Sequence, residues 1–283
     1  MYIKNPVLQF LFSLLDFPIR FIYVRLPGFL RKIFFRQLYE TNFDNLEWKY
    51  NQISTQLDKL EFSLRGKNCL ELGPGNSYYI AYRFLLQGAD KVILIDKFPR
   101  YFNTRRQRAY YDHEIEHFKE KYGADGLKVI GQESERSGAI QMYIGDIVEM
   151  EISEEVDFVY SHHVLEHVKD VPGTLASLFE IMKPGAVAYH VIDLRDHFNF
   201  NSPFLFYKYS SHTWENLLTK EGKSFTNRLR VDELIHAFEQ AGYEILDLET
   251  KKFKLDVPRM ADIFADKDEE VLSTGRASFL VRK

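Results

Sequence analysis

The order of apolar and polar residues predicts that strands and helices alternate along most of the chain. Apolar runs of five to eight residues have the length and composition of strands that are buried on both faces of a parallel sheet. These runs are NCLEL at 68–72, KVILID at 91–96, IQMYIGD at 140–146, VDFVYS at 156–161 and AVAYHVID at 186–193. Between the runs, apolar residues recur at spacings of three and four, which is the period of a helix. We therefore expect βαβ units and an α/β fold.

Helical spacing is clearest on either side of the first predicted strand. Apolar residues recur at this spacing from 42 to 64, and YYIAYRFLLQ at 78–87 is followed by Gly88, a common residue at helix ends. A further helix is predicted at 168–182, and VDELIHAFEQAGYEIL at 231–246 is predicted to form a helix, a glycine stop and a further strand. A final strand, expected at an edge of the sheet, is predicted at 275–283. The pattern indicates a Rossmann-like, doubly wound, mostly parallel sheet of about seven strands.

The predicted elements divide the chain into a domain and an arm. We expect an N-terminal helical arm over residues 1–64 and a single α/β domain over residues 65–283. The connections at 97–140 and 194–228 are too long for simple crossovers and are predicted to be insertions.

Charge and cysteine content restrict the class of protein. Hydrophobic residues make up 45% of the chain and the net charge is only −4, which argues against a nucleic-acid partner. The single cysteine, Cys69, lies in a predicted buried strand, so we interpret it as a small core residue and expect no disulfide and no cysteine-rich metal site.

The arm is basic and rich in phenylalanine over residues 1–40. Its longest uncharged stretch has eleven residues, well short of the roughly 20 that a spanning helix needs. Four interpretations stay open: the arm packs on its own domain, it packs on a second subunit of a homodimer, it lies at a membrane surface, or it is a targeting segment. We expect a cytoplasmic protein, with peripheral membrane contact as one of these alternatives.

A Gly-Pro-Gly turn directly follows the first predicted strand. In open α/β sheets, ligands bind beyond the carboxyl ends of the strands. The missing side chains of Gly73 and Gly75 permit unusual backbone angles and allow a ligand to approach the main chain. Asp96 ends the next strand, where a carboxylate can accept hydrogen bonds from both hydroxyls of a ribose. These features predict a cofactor that contains a nucleoside.

Two residues around this turn distinguish between the candidate cofactors. The dinucleotide fingerprint requires a third small residue, and here that position is the large Tyr78. Glu71, before the turn, suits a cationic ligand better than a pyrophosphate. S-adenosylmethionine fits both observations because it has a ribose, an amino group and a sulfonium charge but no phosphate.

Five segments, taken in order, resemble the motifs of the class I S-adenosylmethionine-dependent methyltransferases. They are LELGPGN, ILID, YIGDI, VDFVYSHHVLEHVKD and FEIMKPGAVAYHVID, and the resemblance extends over about residues 66–283. It implies S-adenosyl-L-methionine as the cofactor, an antiparallel seventh strand, and a site for the adenine amino group near Asp146. The cofactor-binding residues that it implies are Glu71, Gly73, Pro74, Gly75, Asn76, Asp96, Asp146, Ile147, Ser161 and His162.

Methyl transfer to a hydroxyl also requires that the hydroxyl lose its proton, and histidine is the usual base near neutral pH. His163 follows the fourth strand, and Asp193 and His197 stand at and beyond the end of the fifth. We expect His163 to be the base, with His197 and Asp193 as alternatives or as acceptor ligands. A structural role is an equally open interpretation of each, and His190 is interpreted as a core residue.

Residues 163–167, HVLEH, match the H-x-x-E-H signature of a zinc peptidase. That chemistry needs both histidines on one helix, whereas this segment directly follows a buried strand. We therefore expect His167 to cap or pack, and we expect no metal site.

The insertions are expected to cover the acceptor. FNFNSPFLFYKYSSHTW, at 198–214, alternates aromatic with polar residues, which suits a sugar or a phenol, so the acceptor is predicted to be a small molecule or a glycan- or lipid-linked hydroxyl. Arg228 and Arg230 are either ligands for a phosphate or carboxylate or ordinary helix charges. Two other functions stay open: a nicotinamide-dependent oxidoreductase and a catalytically inactive interaction protein.

Overall fold

The computed structural model describes residues 14–26, 43–98, 105–132, 138–219, 225–257 and 259–283. Its strands are β1 (Asn68–Leu72), β2 (Lys91–Asp96), β3 (Ile140–Ile144), β4 (Val156–His162), β5 (Met182–Asp193), β6 (Glu244–Lys252) and β7 (Thr274–Arg282). They form one sheet in the order β3-β2-β1-β4-β5-β7-β6, in which β7 runs antiparallel to both of its neighbours. The predicted α/β, Rossmann-like sheet of seven strands with an antiparallel seventh strand is therefore confirmed.

The predicted position of the C-terminal strand is wrong. β7 lies inside the sheet, between β5 and β6, and β6 forms the edge. The burial of the two strands explains this arrangement: β7 is buried on both faces, through Phe279 on one side and Leu280 on the other, whereas the second half of β6 is exposed. Continuous apolar sequence suits an inner strand, and polar sequence suits an edge.

The helices alternate with the strands as the apolar periodicity predicts. They are α1 (Asp16–Arg25), α2 (Phe43–Lys59), α3 (Tyr79–Leu86), α4 (Arg105–Gln132), α5 (Val171–Ile181), α6 (Ser211–Thr213), α7 (Val231–Gln240) and α8 (Glu269–Leu272). Helix α4 consists of two helical segments joined at Gly123, whose φ is 56°. Helix α5 begins later than expected because Asp170 caps it, accepting a hydrogen bond from the Gly173 N–H at 2.9 Å.

The helices cover both faces of the sheet. Residues of α2, α3 and α4 pack with Cys69 on one face, and residues of α5 and α7 pack with Leu70 and Leu72 on the other. Cys69 is fully buried, and burial raises the pKa of its thiol, as suits a small core residue.

The aromatic insertion forms a core of its own. The side chains of Phe204, Phe206, Tyr207 and Trp214 are buried against Phe264, from the segment between β6 and β7. The expectation that these rings form a wall for the acceptor is wrong, because rings buried in a core cannot cover a ligand.

Arg228 and Arg230, at the C-terminal end of this insertion, also have structural roles. Arg230 donates hydrogen bonds to the Leu194 carbonyl at 3.0 Å and to the Tyr207 hydroxyl at 2.8 Å, and Arg228 donates to the Tyr209 carbonyl at 2.7 Å. Both side chains are buried, so neither is available to an exposed phosphate or carboxylate.

Helix α1 packs on the aromatic insertion at residues 194–228. Arg20 is buried between two carboxylates, with its Nη2 at 2.6 Å from Asp196 and 3.2 Å from Asp16, and the Tyr209 hydroxyl donates to Asp16 at 2.7 Å. Residues 16–25 of the predicted arm thus pack on their own domain. Residues 1–13 and 27–42 lie outside the described residues, so the dimer and the membrane contact stay predictions. Among the described helices, none is long and apolar enough to cross a membrane.

Candidate cofactor and active site

A cavity of about 360 Å³ lies at the carboxyl ends of β1, β2 and β4. Here the sheet topology reverses: the chain leaving β1 continues through α3 to β2 on one side, and the chain leaving β4 continues through α5 to β5 on the other. Such a switch point is the expected ligand site of an open α/β sheet. The lining residues are Leu72, Gly73, Ile95, Asp96, Lys97, Phe98, Gly145, Asp146, Ile147, His163, Val164, His167, Val168, Lys169, Thr174 and Phe225.

The two glycines of the turn are needed for different reasons. A Cβ on Gly73 would lie 2.3 Å from Cγ2 of Val164, so the close neighbour at this position is a side chain of the protein itself. A Cβ on Gly75 would have nothing within 4 Å, but its φ of 62° is in the left-handed region that favours glycine. Gly73 lines the cavity, whereas Gly75 is exposed and does not line it, although the space in front of Gly75 is open.

Asp96 is held rigidly at the rim of the cavity. One carboxylate oxygen accepts the Gly75 N–H at 3.1 Å, and the other accepts the Phe98 N–H at 2.9 Å. The carboxylate is half-buried and thus keeps acceptor capacity toward the cavity. The same backbone contacts bring Phe98, whose side chain is 51% exposed, beside Asp96.

The third strand contributes Asp146 and Ile147 to the same cavity. Asp146 caps a short 3₁₀ turn by accepting the Val148 N–H at 3.3 Å, and it forms an ion pair with Lys97 at 3.1 Å. Sequence reasoning missed Lys97 and Phe98, although their place directly after Asp96 could have indicated them.

Three neighbours of the glycine turn do not line the cavity. Glu71 is on the opposite face of β1 from Leu72, next to Lys49 of α2. Burial lowers the pKa of Lys49, and the charge of Glu71 offsets this only in part. Pro74 and Asn76 lie on the turn itself, and Asn76 is exposed.

Ser161 and His162 also lie away from the cavity. The Ser161 hydroxyl is fully buried and is 2.7 Å from Nδ1 of His190, which is itself a buried core residue as expected. His162 packs edge-on against Trp48 of α2, with ring centroids 6.3 Å apart. The structure therefore does not bring these two residues to the predicted cofactor.

Of the three residues predicted to act in catalysis, His163 lines the cavity. Its φ is 57°, a conformation in which histidine is enriched, and its N–H donates to the Val191 carbonyl at 2.8 Å. Burial lowers the pKa of its imidazole to about 3, so at neutral pH the ring is neutral and can accept a hydrogen bond but is a weak base.

Asp193 and His197 lie outside the cavity, in a second cluster. Burial works to raise the pKa of Asp193, but two hydrogen bonds of 2.7 and 2.8 Å from Arg195, together with the neighbouring His197, hold it well below its usual range. A carboxylate with so low a pKa is a poor base. Burial works to lower the pKa of His197, but Asp193 at 3.6 Å and Glu166 at 3.9 Å raise it by more.

The segment that matches H-x-x-E-H does not form a peptidase helix. His163 has a left-handed conformation, and Leu165–His167 is a single 3₁₀ turn. The structure instead brings Glu166 and His167 next to His197, with ligand atoms that all lie within 4.8 Å of one another. Sequence reasoning missed this grouping because His197 comes from the loop after the next strand.

A comparison with protein-family models identifies the family of this domain. Residues 46–248 match the family model described as a methyltransferase domain. A search of curated proteins found no match to this chain.

Solved structures that are similar to this chain include three bacterial methyltransferases. One is an S-adenosylmethionine-dependent methyltransferase from Mesorhizobium loti, with 14% identity, a TM-score of 0.46, and coverage of 81% of this chain and 96% of that one. Another is the N-methyltransferase NodS from Bradyrhizobium japonicum in complex with S-adenosyl-L-homocysteine, with 11% identity, a TM-score of 0.45 and coverage of 87% and 90%. A third, from Clostridium acetobutylicum, has 10% identity, a TM-score of 0.44 and coverage of 82% and 89%.

The family model covers more than half of the chain, including β1 to β5 and the whole cavity. The cavity also has the size of a small-molecule site, for which volumes run from roughly 300 to 1,000 Å³. The chain therefore belongs to the methyltransferase-domain family, within the class I S-adenosylmethionine-dependent methyltransferases, and its cofactor is S-adenosylmethionine.

Proposed function

We propose that this protein transfers a methyl group from S-adenosylmethionine to a hydroxyl oxygen of a small-molecule or glycan- or lipid-linked acceptor. The observation that supports this proposal is the cavity at the switch point, which has Asp96 at its rim and the neutral His163 in its wall. Asp193 and His197, the alternative bases, lie outside the cavity, so we assign the proton-accepting role to His163.

The cofactor would be held by residues at the ends of the first three strands. Asp96 would accept the two ribose hydroxyls, and the open space at Gly75 would let the cofactor approach the backbone. Phe98 offers an exposed ring on which the adenine could stack, a contact worth about 1–3 kcal/mol. Asp146 would accept a hydrogen bond from the adenine amino group, with Ile147 against the ring.

When bound, the cofactor would supply an activated methyl group on its sulfonium, and in-line transfer to the acceptor oxygen would leave the S–C bonding electrons on sulfur. The protein contributes alignment, which in well-oriented systems supplies up to about 7–11 kcal/mol. The His163 imidazole accepts the proton that the acceptor hydroxyl loses. With a pKa of about 3 it is a weak base, so its hydrogen bond also has to orient the hydroxyl.

The proposed acceptor is a broad chemical class, whereas the cofactor is a single compound. Because the insertion's rings are buried in a core, they are not available to cover the apolar face of a sugar acceptor. A glycan- or lipid-linked hydroxyl stays a prediction that depends on the basic N-terminal segment, and labelled-methyl transfer into glycan, lipid and small-molecule extracts would identify it.

The test compares two aspartates at opposite ends of β2. Asp96→Asn removes the charge that would accept the ribose hydroxyls, and Asp90→Asn changes an exposed carboxylate before the strand. Calorimetric titration with S-adenosylmethionine should show at least about tenfold weaker binding for Asp96→Asn and unchanged binding for Asp90→Asn, since charge-assisted hydrogen bonds contribute about 1.5–3 kcal/mol. Equal affinity in both variants would remove Asp96 from the site. Cofactor binding without transfer to any extract would instead support the inactive interaction protein.

A further inference from the structure

We propose that Glu166, His167 and His197 bind one divalent transition-metal ion, of the zinc or iron(II) type, beside the cofactor cavity. The metal would coordinate the acceptor oxygen. The three side chains come from the 3₁₀ turn after β4 and from the loop after β5, and His167 also lines the cavity.

The distances suit a common ion. One ligand atom from each of the three residues lies within 4.8 Å of the others, and Nε2 of His197 is 3.9 Å from Oε1 of Glu166. Bonds of about 2.0–2.2 Å place the ligands of one ion roughly 3–4 Å apart. The side chains would therefore close around an ion by small rotations, without a change in the backbone.

The hydrogen bonding of His167 prepares it as a ligand. Its Nδ1 is 2.7 Å from the carbonyl oxygen of Phe225. A carbonyl can only accept, so Nδ1 carries the proton and Nε2 keeps its lone pair. Metal-binding histidines are oriented by this same contact, in which the ring nitrogen that does not bind the metal donates to a backbone carbonyl.

Glu166 is the independent observation that points to a cation. The residue is 2% exposed, and its Oε1 accepts only a long hydrogen bond of 3.3 Å from the Asp193 N–H. Within the described part of the chain, its Oε2 has no hydrogen-bond partner, and neither has Nε2 of His197. A buried carboxyl oxygen without a hydrogen-bond partner is costly, and a bound cation would satisfy Oε2.

The donor set selects the kind of metal. Two imidazole nitrogens and one carboxylate are the ligands of catalytic zinc and of non-haem iron(II), whereas magnesium and calcium prefer oxygen ligands. Asp193 lies nearby, but Arg195 already occupies its carboxylate. Three protein ligands leave at least one coordination position open for a substrate oxygen.

The role of the metal rests on the proposed function. A divalent ion lowers the pKa of an oxygen ligand, so an acceptor hydroxyl bound to it would lose its proton readily, even to a weak base such as His163. The acceptor class then narrows to hydroxyl compounds that can coordinate a metal, such as phenols with a neighbouring oxygen.

The test measures metal binding without any reaction. The full chain is stripped with a chelator and titrated with zinc chloride in a calorimeter, and the Glu166→Gln, His167→Ala and His197→Ala variants are titrated in the same way. We expect one site in the unmodified chain and at least about tenfold weaker binding in each variant. His236→Ala, which removes an exposed histidine of α7, is the matched control and should bind zinc as the unmodified chain does.

The outcomes separate this proposal from the proposed function. No zinc binding by the unmodified chain, or equal binding in all three variants, would overturn the metal site and leave His197 as an ion-pair neighbour of Asp193 and Glu166. S-adenosylmethionine titrations run beside these measurements report on the cofactor site alone. The zinc stoichiometry of the unmodified chain decides whether the metal site exists. This measurement does not use the variants, so a variant that fails to fold does not affect it.

Discussion

Two glycines in one turn illustrate how much a single residue can contribute to this fold. Gly73 has Val164 packed against the place where a Cβ would stand, and its N–H donates to the Ile95 carbonyl at 2.7 Å. Gly75 has the same left-handed backbone but open space in front of it. The first glycine therefore joins β1 to the segment after β4, and the second turns the chain at an exposed position where no other atom lies close.

This difference predicts different costs of substitution. Gly75→Ala should reduce the free energy of unfolding by about 1–2 kcal/mol, because only left-handed strain is added. Gly73→Ala should cost more, since its Cβ also displaces Val164. Urea unfolding of Gly73→Ala, Val164→Ala and the double variant should show that Val164→Ala relieves part of the Gly73→Ala cost. Additive costs would show that the turn adjusts without moving Val164.

His163 is the residue whose substitution tests the chemistry. His163→Asn is the informative variant, because asparagine also tolerates the positive φ at this position. We expect labelled-methyl turnover to fall at least about tenfold, as for loss of a positioned base, while calorimetric affinity for S-adenosylmethionine stays nearly constant. His236→Asn is the exposed control. Unchanged turnover in His163→Asn would exclude His163 from proton transfer.

Among the elements, helix α4 does more than connect β2 to β3. Its Glu114 is fully buried and accepts hydrogen bonds from the Ser77 hydroxyl and, at 2.8 Å, from the Tyr78 N–H. Both donors belong to the segment between the Gly-Pro-Gly turn and α3. The long insertion thus positions the turn that borders the cavity.

Glu114→Gln should loosen this contact and leave the helix in place. An amide carries no charge, so both hydrogen bonds would lose the strengthening that the carboxylate's negative charge gives them, and the Ser77 hydroxyl would have to accept instead of donate. We expect affinity for S-adenosylmethionine to fall about three- to tenfold, corresponding to about 1 kcal/mol. Glu116→Gln, on the exposed side of the same helix, is the control. Equal affinity in the two variants would mean that the turn holds its shape without α4.

Some elements of the fold could be predicted from sequence patterns alone, and others could not. The periodic runs of α2, α3 and β1 to β5 fold nearly as predicted because each buries the face that its own pattern defines. The order of β6 and β7 depends on which strand is more deeply buried, and neither pattern alone gives that comparison. The rings of the insertion fill a core because the segment after β6 packs on them, a long-range contact that local spacing does not encode.

At the scale of the whole molecule, the topology assembles the candidate site. Asp96, Asp146 and His163 could be predicted together because each follows the carboxyl end of a strand, and such ends meet at one edge of the sheet. Glu166 and His197 face each other only because β4 and β5 pair in a particular register, in which Ser161 pairs with His190. Register is set by packing across the sheet and could not be predicted from the spacing of the two residues.

The burial of neutral histidines should make the stability of the whole chain depend on pH. His190 is fully buried, between Ser161 of β4 and Phe238 of α7, and burial lowers its pKa to about 3 from about 6.5 in the unfolded chain. Between these values the unfolded state binds the extra proton, so this contribution is complete above about pH 6.5 and is lost as the pH falls. From pH 7 to pH 5 the loss of unfolding free energy is about 2 kcal/mol for this one residue.

Urea unfolding at several pH values tests this contribution. The free energy of unfolding should decline less steeply with falling pH in His190→Gln than in the unmodified chain and in the exposed-site control His236→Gln. An equally steep decline in His190→Gln would mean that other groups, such as His163, account for the acid sensitivity.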